Sequence, residues 1–238
     1  AGGSERQDSP FIGLDIGLLA GTDAAGVKVL ADSRALFMVS DVIIDFTAAT
    51  ATAATAALAA ETGKALVGGT TGLGPEPMSA LGAAARRVPV VHAPNMSLGV
   101  NLLFALVEEV ARTLDDSYDI EIVEMHHRHK VDAPSGTALG LGRAAALGRM
   151  VDLDAVSERV RDGHTGARRT GAIGFATLRG GDVVGDHTVI FAADGERIEL
   201  THKASSRTVF AKGAVRAARW ACSQPPGLYS MRDVLGLS

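Results

Sequence analysis

The run from Glu124 to Ala138, EMHHRHKVDAPSGTA, holds the greatest density of groups able to do chemistry. Three histidines, an arginine and a lysine fall within the five residues from His126 to Lys130. Histidine and lysine donate protons when neighbouring charge and partial burial tune their pKa values toward the working pH. If the preceding strand continues, its period of two places His126, Arg128 and Lys130 on one side and His127 and His129 on the other. Pro134 breaks the chain, and Ser135, Gly136 and Thr137 then open a helix whose unpaired amides and positive dipole end attract an anion. Cations beside a helix start make a pocket for a carboxylate, with proton donors at hand. Two other readings compete. A charge run between a strand and a helix is commonly a solvated face. Histidines also bind metals, and a metal-dependent lyase or hydrolase would use them so. However, HHxH has no cysteine nearby and lacks the helical HExxH spacing, so no metal is predicted here.

Elements on both sides must position this run. Asp41–Phe46, DVIIDF, is a short β-branched strand, Thr47 a helix cap, and Ala49–Thr62 an Ala-rich helix stopped by Gly63. Lys64–Gly69 is a second strand, Glu76–Val88 a helix, and Pro89–Ala93 a third strand, an alternation that predicts a parallel sheet with helices on its faces. A helix over about Ser97–Leu114 presents Leu103, Leu106, Val107 and Val110 as a core stripe. Asp119–Met125 alternates like a strand and leads into the histidine run, and Ser135–Met150 is helical. From Thr170 the runs GAIGFATL, VVGDHTVIFA and ERIELTHKA are separated by Gly180-Gly181 and Asp194-Gly195, which predicts an antiparallel meander. A last helix covers about Arg207–Ser223. The chain therefore reads as a parallel α/β part to about residue 97, then an α+β part with a mixed or antiparallel sheet whose outer face calls for cover, and packing against another subunit is the expectation.

Composition narrows the function classes. A 47% hydrophobic share over 238 residues is ample for cores, while aromatics at 4% give few stacking surfaces for bases. Lys and Arg number 23 against 27 Asp and Glu, so the broad basic face that a nucleic-acid backbone needs is not expected. The first ten residues, AGGSERQDSP, have neither the basic start nor the apolar run of a signal peptide, and no later stretch suits a membrane span. The single cysteine, Cys222, suits a reducing compartment, and the expectation is a cytoplasmic protein.

The run EMHHRHKVDAPSGTAL closely resembles the signature of the 4-hydroxy-tetrahydrodipicolinate reductase family. Further likenesses follow in the family's order: IDFT at Ile44–Thr47, GTTG at Gly69–Gly72, APNMSLGVN at Ala93–Asn101, GFATLRGGDVVGDHTV at Gly174–Val189, and THKASSR at Thr201–Arg207. The resemblance implies an α/β fold with a Rossmann-like, parallel-sheet dinucleotide-binding domain over residues 1–97 and 207–238. It implies a substrate-binding and oligomerisation domain over 98–206, and a homotetramer formed through that domain's sheet. The implied reaction is reduction of a cyclic dicarboxylate, 4-hydroxy-tetrahydrodipicolinate, to tetrahydrodipicolinate by NADPH or NADH, an oxidoreductase step of lysine and diaminopimelate biosynthesis. Carried over, His126 is the proton donor, Lys130 assists it as donor or electrostatic stabiliser, and His127 contacts substrate. Gly136 and Thr137 hold a substrate carboxylate, in agreement with the helix-start argument. Phe46, Thr47, Gly69, Thr70, Thr71, Ala93, Pro94, Asn95 and Met96 line the nicotinamide, and Glu5 and Arg6 resemble the pair that meets the adenosine ribose and its phosphate. The family pattern begins with a strand, a GxxGxxG turn and a helix, which this sequence lacks; Gly2-Gly3 does not substitute, because no strand precedes it. The alternative expectation is a non-catalytic fragment that keeps the dicarboxylate pocket and the assembly sheet.

Overall fold

A computed structural model describes residues 1–237. The chain forms two compact units, one of residues 1–93 and 214–230, the other of residues 94–213 and the described residues from 231 onward. In the first unit short elements come first: β1 (Gly3–Ser4), α1 (Ile16–Leu19), β2 (Val29–Leu30) and α2 (Ser33–Met38). Strands β1 and β2 form a parallel pair of their own. The periodicity argument did not reach this stretch, because its order comes from single polar groups. Asp15 alone accepts hydrogen bonds from the amides of Gly17, Leu18, Ala25 and Val27.

Next come β3 (Val42–Asp45), α3 (Ala49–Thr62), β4 (Ala65–Gly68), α4 (Pro75–Ala84) and β5 (Pro89–His92). The three strands are parallel and adjacent, as the alternation predicts. Every residue of β4 is buried, as expected of a parallel strand covered on both faces. Gly63 ends α3 at φ 70°, a left-handed conformation that a residue with a Cβ adopts at a cost. Thr47 does not cap this helix. The cap position falls on Ala48, which makes no side-chain bond, while the Thr47 amide is bound by the Asp45 carboxylate at 2.8 Å. Leu66, Val90, Leu81 and the alanines of α3 and α4 form the core.

The second unit holds α5 (Leu98–Thr113), β6 (Asp119–His126), α6 (Gly136–Gly148), α7 (Leu153–Val156), β7 (Ser157–Glu158), β8 (Ile173–Arg179), β9 (Gly185–Ala193) and β10 (Glu196–Ala204). Its sheet is mixed, in the order β10-β9-β6-β8-β7. This corrects the meander: β9 and β10 form an antiparallel hairpin, but β6 lies between β8 and β9, parallel to β8 and antiparallel to β9. Alternation fixes which residues are strand and not which strand is the neighbour. One face of the sheet packs on α5 and α6 around Ile120, Ile122, Leu141, Phe175, Val189 and Phe191. The α5 stripe needs correction too. Leu103 and Val107 are buried with Val100 and Ala111, while Leu106 is exposed.

Helix α8 (Thr208–Ala221) contains the return to the first unit, where β11 (Gly227–Tyr229) adds a parallel strand beside β5 and Trp220 meets Tyr229 edge-on at 5.0 Å. Finally α9 (Met231–Leu235) belongs to the second unit. The tail was expected with the cofactor domain; instead α9 packs on α5, where Arg232 and Arg112 both pair with Glu108.

Candidate active site

In the second unit, β6 delivers the chemistry. Its alternation buries Ile120, Ile122, Glu124 and His126 on one face, so a hydrophobic strand ends in a carboxylate and an imidazole. Glu124 is 1% exposed. Arg179, from the end of β8, grips both of its oxygens at 2.8 and 2.9 Å, a bidentate charge-assisted pair. Glu124 Oε2 also meets His126 Nδ1 at 2.5 Å, and Oε1 accepts from the Ser135 amide at 3.1 Å. Burial pushes the Glu124 carboxyl up, but Arg179, His126 and Ser135 together hold it below its ordinary range. An ionised Glu124 obliges Nδ1 to carry the imidazole proton, and Nε2 makes no hydrogen bond among the described residues. Burial lowers the His126 pKa against the opposing pull of Glu124.

Behind this pair, His187 on β9 lies edge-on to the His126 ring at 5.0 Å and 77°, and its Nε2 is 3.0 Å from Ser135 Oγ. Burial pushes His187 down to about 4, so it is neutral at pH 7. Ser135 caps α6 by accepting from the Ala138 amide at 3.1 Å. The amides of Gly136 and Thr137 in the first turn have no partner among the described residues. Gly136 is exposed and has nothing within 4 Å of its would-be Cβ, so this helix start is open. Thr137 is half-buried, and its Oγ1 accepts from Asn95 Nδ2 at 3.1 Å.

The remaining residues of the histidine run depart from strand geometry. After His126 the chain turns, with the Lys130 amide bonded to the His127 carbonyl at 3.1 Å and the His127 amide to the Val183 carbonyl at 2.7 Å. The predicted two-sided alternation therefore stops at His126. His127 and His129 instead lie together, ring centres 6.3 Å apart, and Lys130 donates to Asp132 at 2.7 Å. Among the described residues no group of three or more His, Cys, Asp or Glu is arranged to hold a metal ion. The sequence reading placed Ser135 at the helix start, where it caps α6, but missed Glu124, Arg179 and His187. Glu124 was within reach, since it precedes His126 by two and shares its face; Arg179 and His187 arrive through strand pairing that spacing does not reveal.

In the first unit, three loops leave the carboxyl ends of neighbouring parallel strands, the edge at which open α/β sheets bind ligands. Phe46 and Thr47 follow β3, Gly69 to Thr71 follow β4, and Ala93 follows β5. The Phe46 ring lies over Gly69 so closely that a Cβ there would collide with it, yet half of the ring is exposed. Thr70 Oγ1 is buried and has no hydrogen-bond partner among the described residues. A half-open aromatic face beside an unsatisfied hydroxyl fits a flat ring bearing a polar group, as a nicotinamide does. Glu5 and Arg6 follow β1; Arg6 pairs with exposed Asp8 at 3.1 Å, and no hydrogen bond or ion pair joins either residue to these loops. Pro94, Asn95 and Met96 belong to the second unit. There Met96 is buried, with its backbone carbonyl packed against Gly213, so its side chain is core.

Among the described residues no helix is long and apolar enough to cross a membrane. The sequence models of the dihydrodipicolinate reductase N-terminus and C-terminus match residues 1–96 and 99–235. The chain is 59% identical over 236 residues to a 4-hydroxy-tetrahydrodipicolinate reductase of Rhodopseudomonas palustris strain BisA53, covering 99% of this chain and 86% of that one. It is 54% identical over 234 residues to the enzyme of that name from Agrobacterium fabrum, covering 98% and 85%. A solved structure of dipicolinate-bound dihydrodipicolinate reductase from Paenisporosarcina sp. TG-14 shares the fold, with a TM-score of 0.72 at 22% identity over 96% of this chain and 86% of that one. These matches do not favour a non-catalytic fragment. Two family models that between them span nearly the whole sequence, and relatives well above half identical over almost all of it, place this chain in the dihydrodipicolinate reductase family.

Proposed function

We propose that this chain reduces 4-hydroxy-tetrahydrodipicolinate to tetrahydrodipicolinate with NADPH or NADH. Exchanging the ring hydroxyl for hydrogen consumes one hydride and one proton and releases one water. A bound nicotinamide dinucleotide supplies the hydride; Phe46, Thr47, Gly69, Thr70, Thr71 and Ala93 would hold it, and Glu5 and Arg6 would meet its ribose end. The second unit does the rest. The amides of Gly136 and Thr137 and the Thr137 hydroxyl bind one carboxylate of the substrate, and His127 contacts it. With Nδ1–H held by Glu124, His126 takes up a second proton at Nε2 and, as the imidazolium, delivers that proton to the substrate; Lys130, whose ammonium keeps donors beyond the one given to Asp132, stabilises the charge that hydride addition leaves.

The observation that carries this reading is a buried imidazole held at Nδ1 by a carboxylate, with Nε2 uncommitted, at the end of the strand that leads to an open helix start. The test is His126→Asn. Turnover should fall by roughly 10²–10⁴, the usual worth of a positioned acid, with NADPH affinity by fluorescence unchanged; unimpaired turnover would exclude the role. The outer sheet face, where Leu178 is exposed, supports assembly through this surface as a homotetramer, which light scattering would test. The single thiol of Cys222 is consistent with work in the reducing cytoplasm.

A further inference from the structure

We infer that Glu124 is a positioning residue for the proposed reaction: it holds His126 with Nε2 free for substrate and ties that imidazole to the anion-binding start of α6. The inference rests on the reading of His126 as proton donor. A carboxylate buried as deeply as Glu124 needs a partner, and Arg179 alone would satisfy it. The arrangement goes further. The two-pronged grip of Arg179 fixes the plane of the carboxylate, and each oxygen then takes a second partner, Oε2 the His126 Nδ1–H at 2.5 Å and Oε1 the Ser135 amide at 3.1 Å. Acid and helix cap thus hang on opposite oxygens of one rigid group. Ser135 Oγ and the His187 ring close the circle, His187 lying edge-on to His126. Gly185 leaves room at the far side of the imidazole: a Cβ there would stand 3.0 Å from His126 Nε2.

The charged and titratable groups around His126 are Glu124 on β6, Arg179 on β8, His187 on β9, and Lys130 with Asp132 in the turn that follows. Glu124 and Arg179 act on the imidazolium with opposite sign. Glu124 favours it directly, while Arg179 opposes it as a like charge and as a competitor for the carboxylate. A purely architectural salt bridge predicts no such opposition.

The experiment is a pH titration of histidine side-chain nitrogens by ¹⁵N NMR on the whole chain, with His126 assigned by its loss in His126→Asn. In the unaltered chain the neutral ring should carry its proton on Nδ1. Glu124→Gln should move the His126 midpoint to lower pH and Arg179→Met should move it to higher pH, with the alkaline limb of kcat/KM, where a proton donor is lost, following in each case. An Nε2–H tautomer in the unaltered chain, or midpoints that stay put or move together, overturns the inference. Should Glu124→Gln not fold, the tautomer and Arg179→Met still decide it. Full turnover in His126→Asn would instead remove the proton-donor role on which the inference rests, whatever the spectra show.

Discussion

A threonine at a helix start can serve two masters, and Thr137 shows how. Its Oγ1 accepts from Asn95 Nδ2, which orients the hydroxyl and leaves its own proton to give away. Neighbouring amides at Gly136 and Thr137 face the same open helix start. A hydroxyl donated to a carboxylate is worth about 1.5–3 kcal/mol, so Thr137→Val should weaken binding of the dicarboxylate dipicolinate by roughly 10–100-fold. Calorimetric titration would measure it, and an unchanged affinity would remove Thr137 from the binding set. At this scale the sequence was legible where chemistry sits in one short run: His126 ends one strand, and Gly136 and Thr137 begin the next helix. It was illegible where a residue matters only for its neighbour. Nothing near Arg179 announces that it grips Glu124, because fifty-five positions separate them and only the β6–β8 register joins them.

Elements set those registers, and their contact distances are set by small residues. At Gly148, the end of α6, an added Cβ would collide with the Glu108 carbonyl and lie 2.9 Å from the Ala111 Cβ, so α5 and α6 approach there only because the side chain is absent. Gly82 in α4 has open space at the same position. Gly148→Ala should therefore cost about 1–3 kcal/mol by overpacking, whereas Gly82→Ala should stabilise by roughly 0.5–1 kcal/mol through helix propensity. Urea unfolding of the two variants separates them; equal effects would mean that α5 and α6 yield without cost. Element types were readable from periodicity and composition, since β6 alternates through its whole length and α3 is rich in alanine. Their partners were not. The insertion of β6 between β8 and β9 depends on pairing across long stretches of chain, which local spacing does not encode.

Over the whole chain, a net charge of -4 says little about acid sensitivity, because the decisive groups are few and buried. The chain passes between its two units three times, at 93/94, 213/214 and 230/231, so neither is one continuous stretch. The last crossing, which carries Arg232 to Glu108, lay beyond what composition could show. Across this fold His187, His126 and His202 all bind protons less readily than a free histidine, burial being the largest cause in each case. Below pH 6.5 the unfolded chain therefore takes up protons that the folded chain refuses, and stability must fall as pH falls. For His187, lowered from 6.5 to about 4, the loss runs across that interval and amounts to about 3 kcal/mol when complete. Glu124 adds loss of the same sign, because its depressed pKa contributes stability above the ordinary carboxylate range that disappears as pH drops through its folded value. Urea midpoints at pH 8, 6 and 5 should thus decline in order, and His187→Asn, which keeps a polar group near Ser135 but cannot titrate, should flatten the decline. Midpoints that hold steady or rise toward pH 5 would mean that His187 reaches solvent and protonates in the folded state.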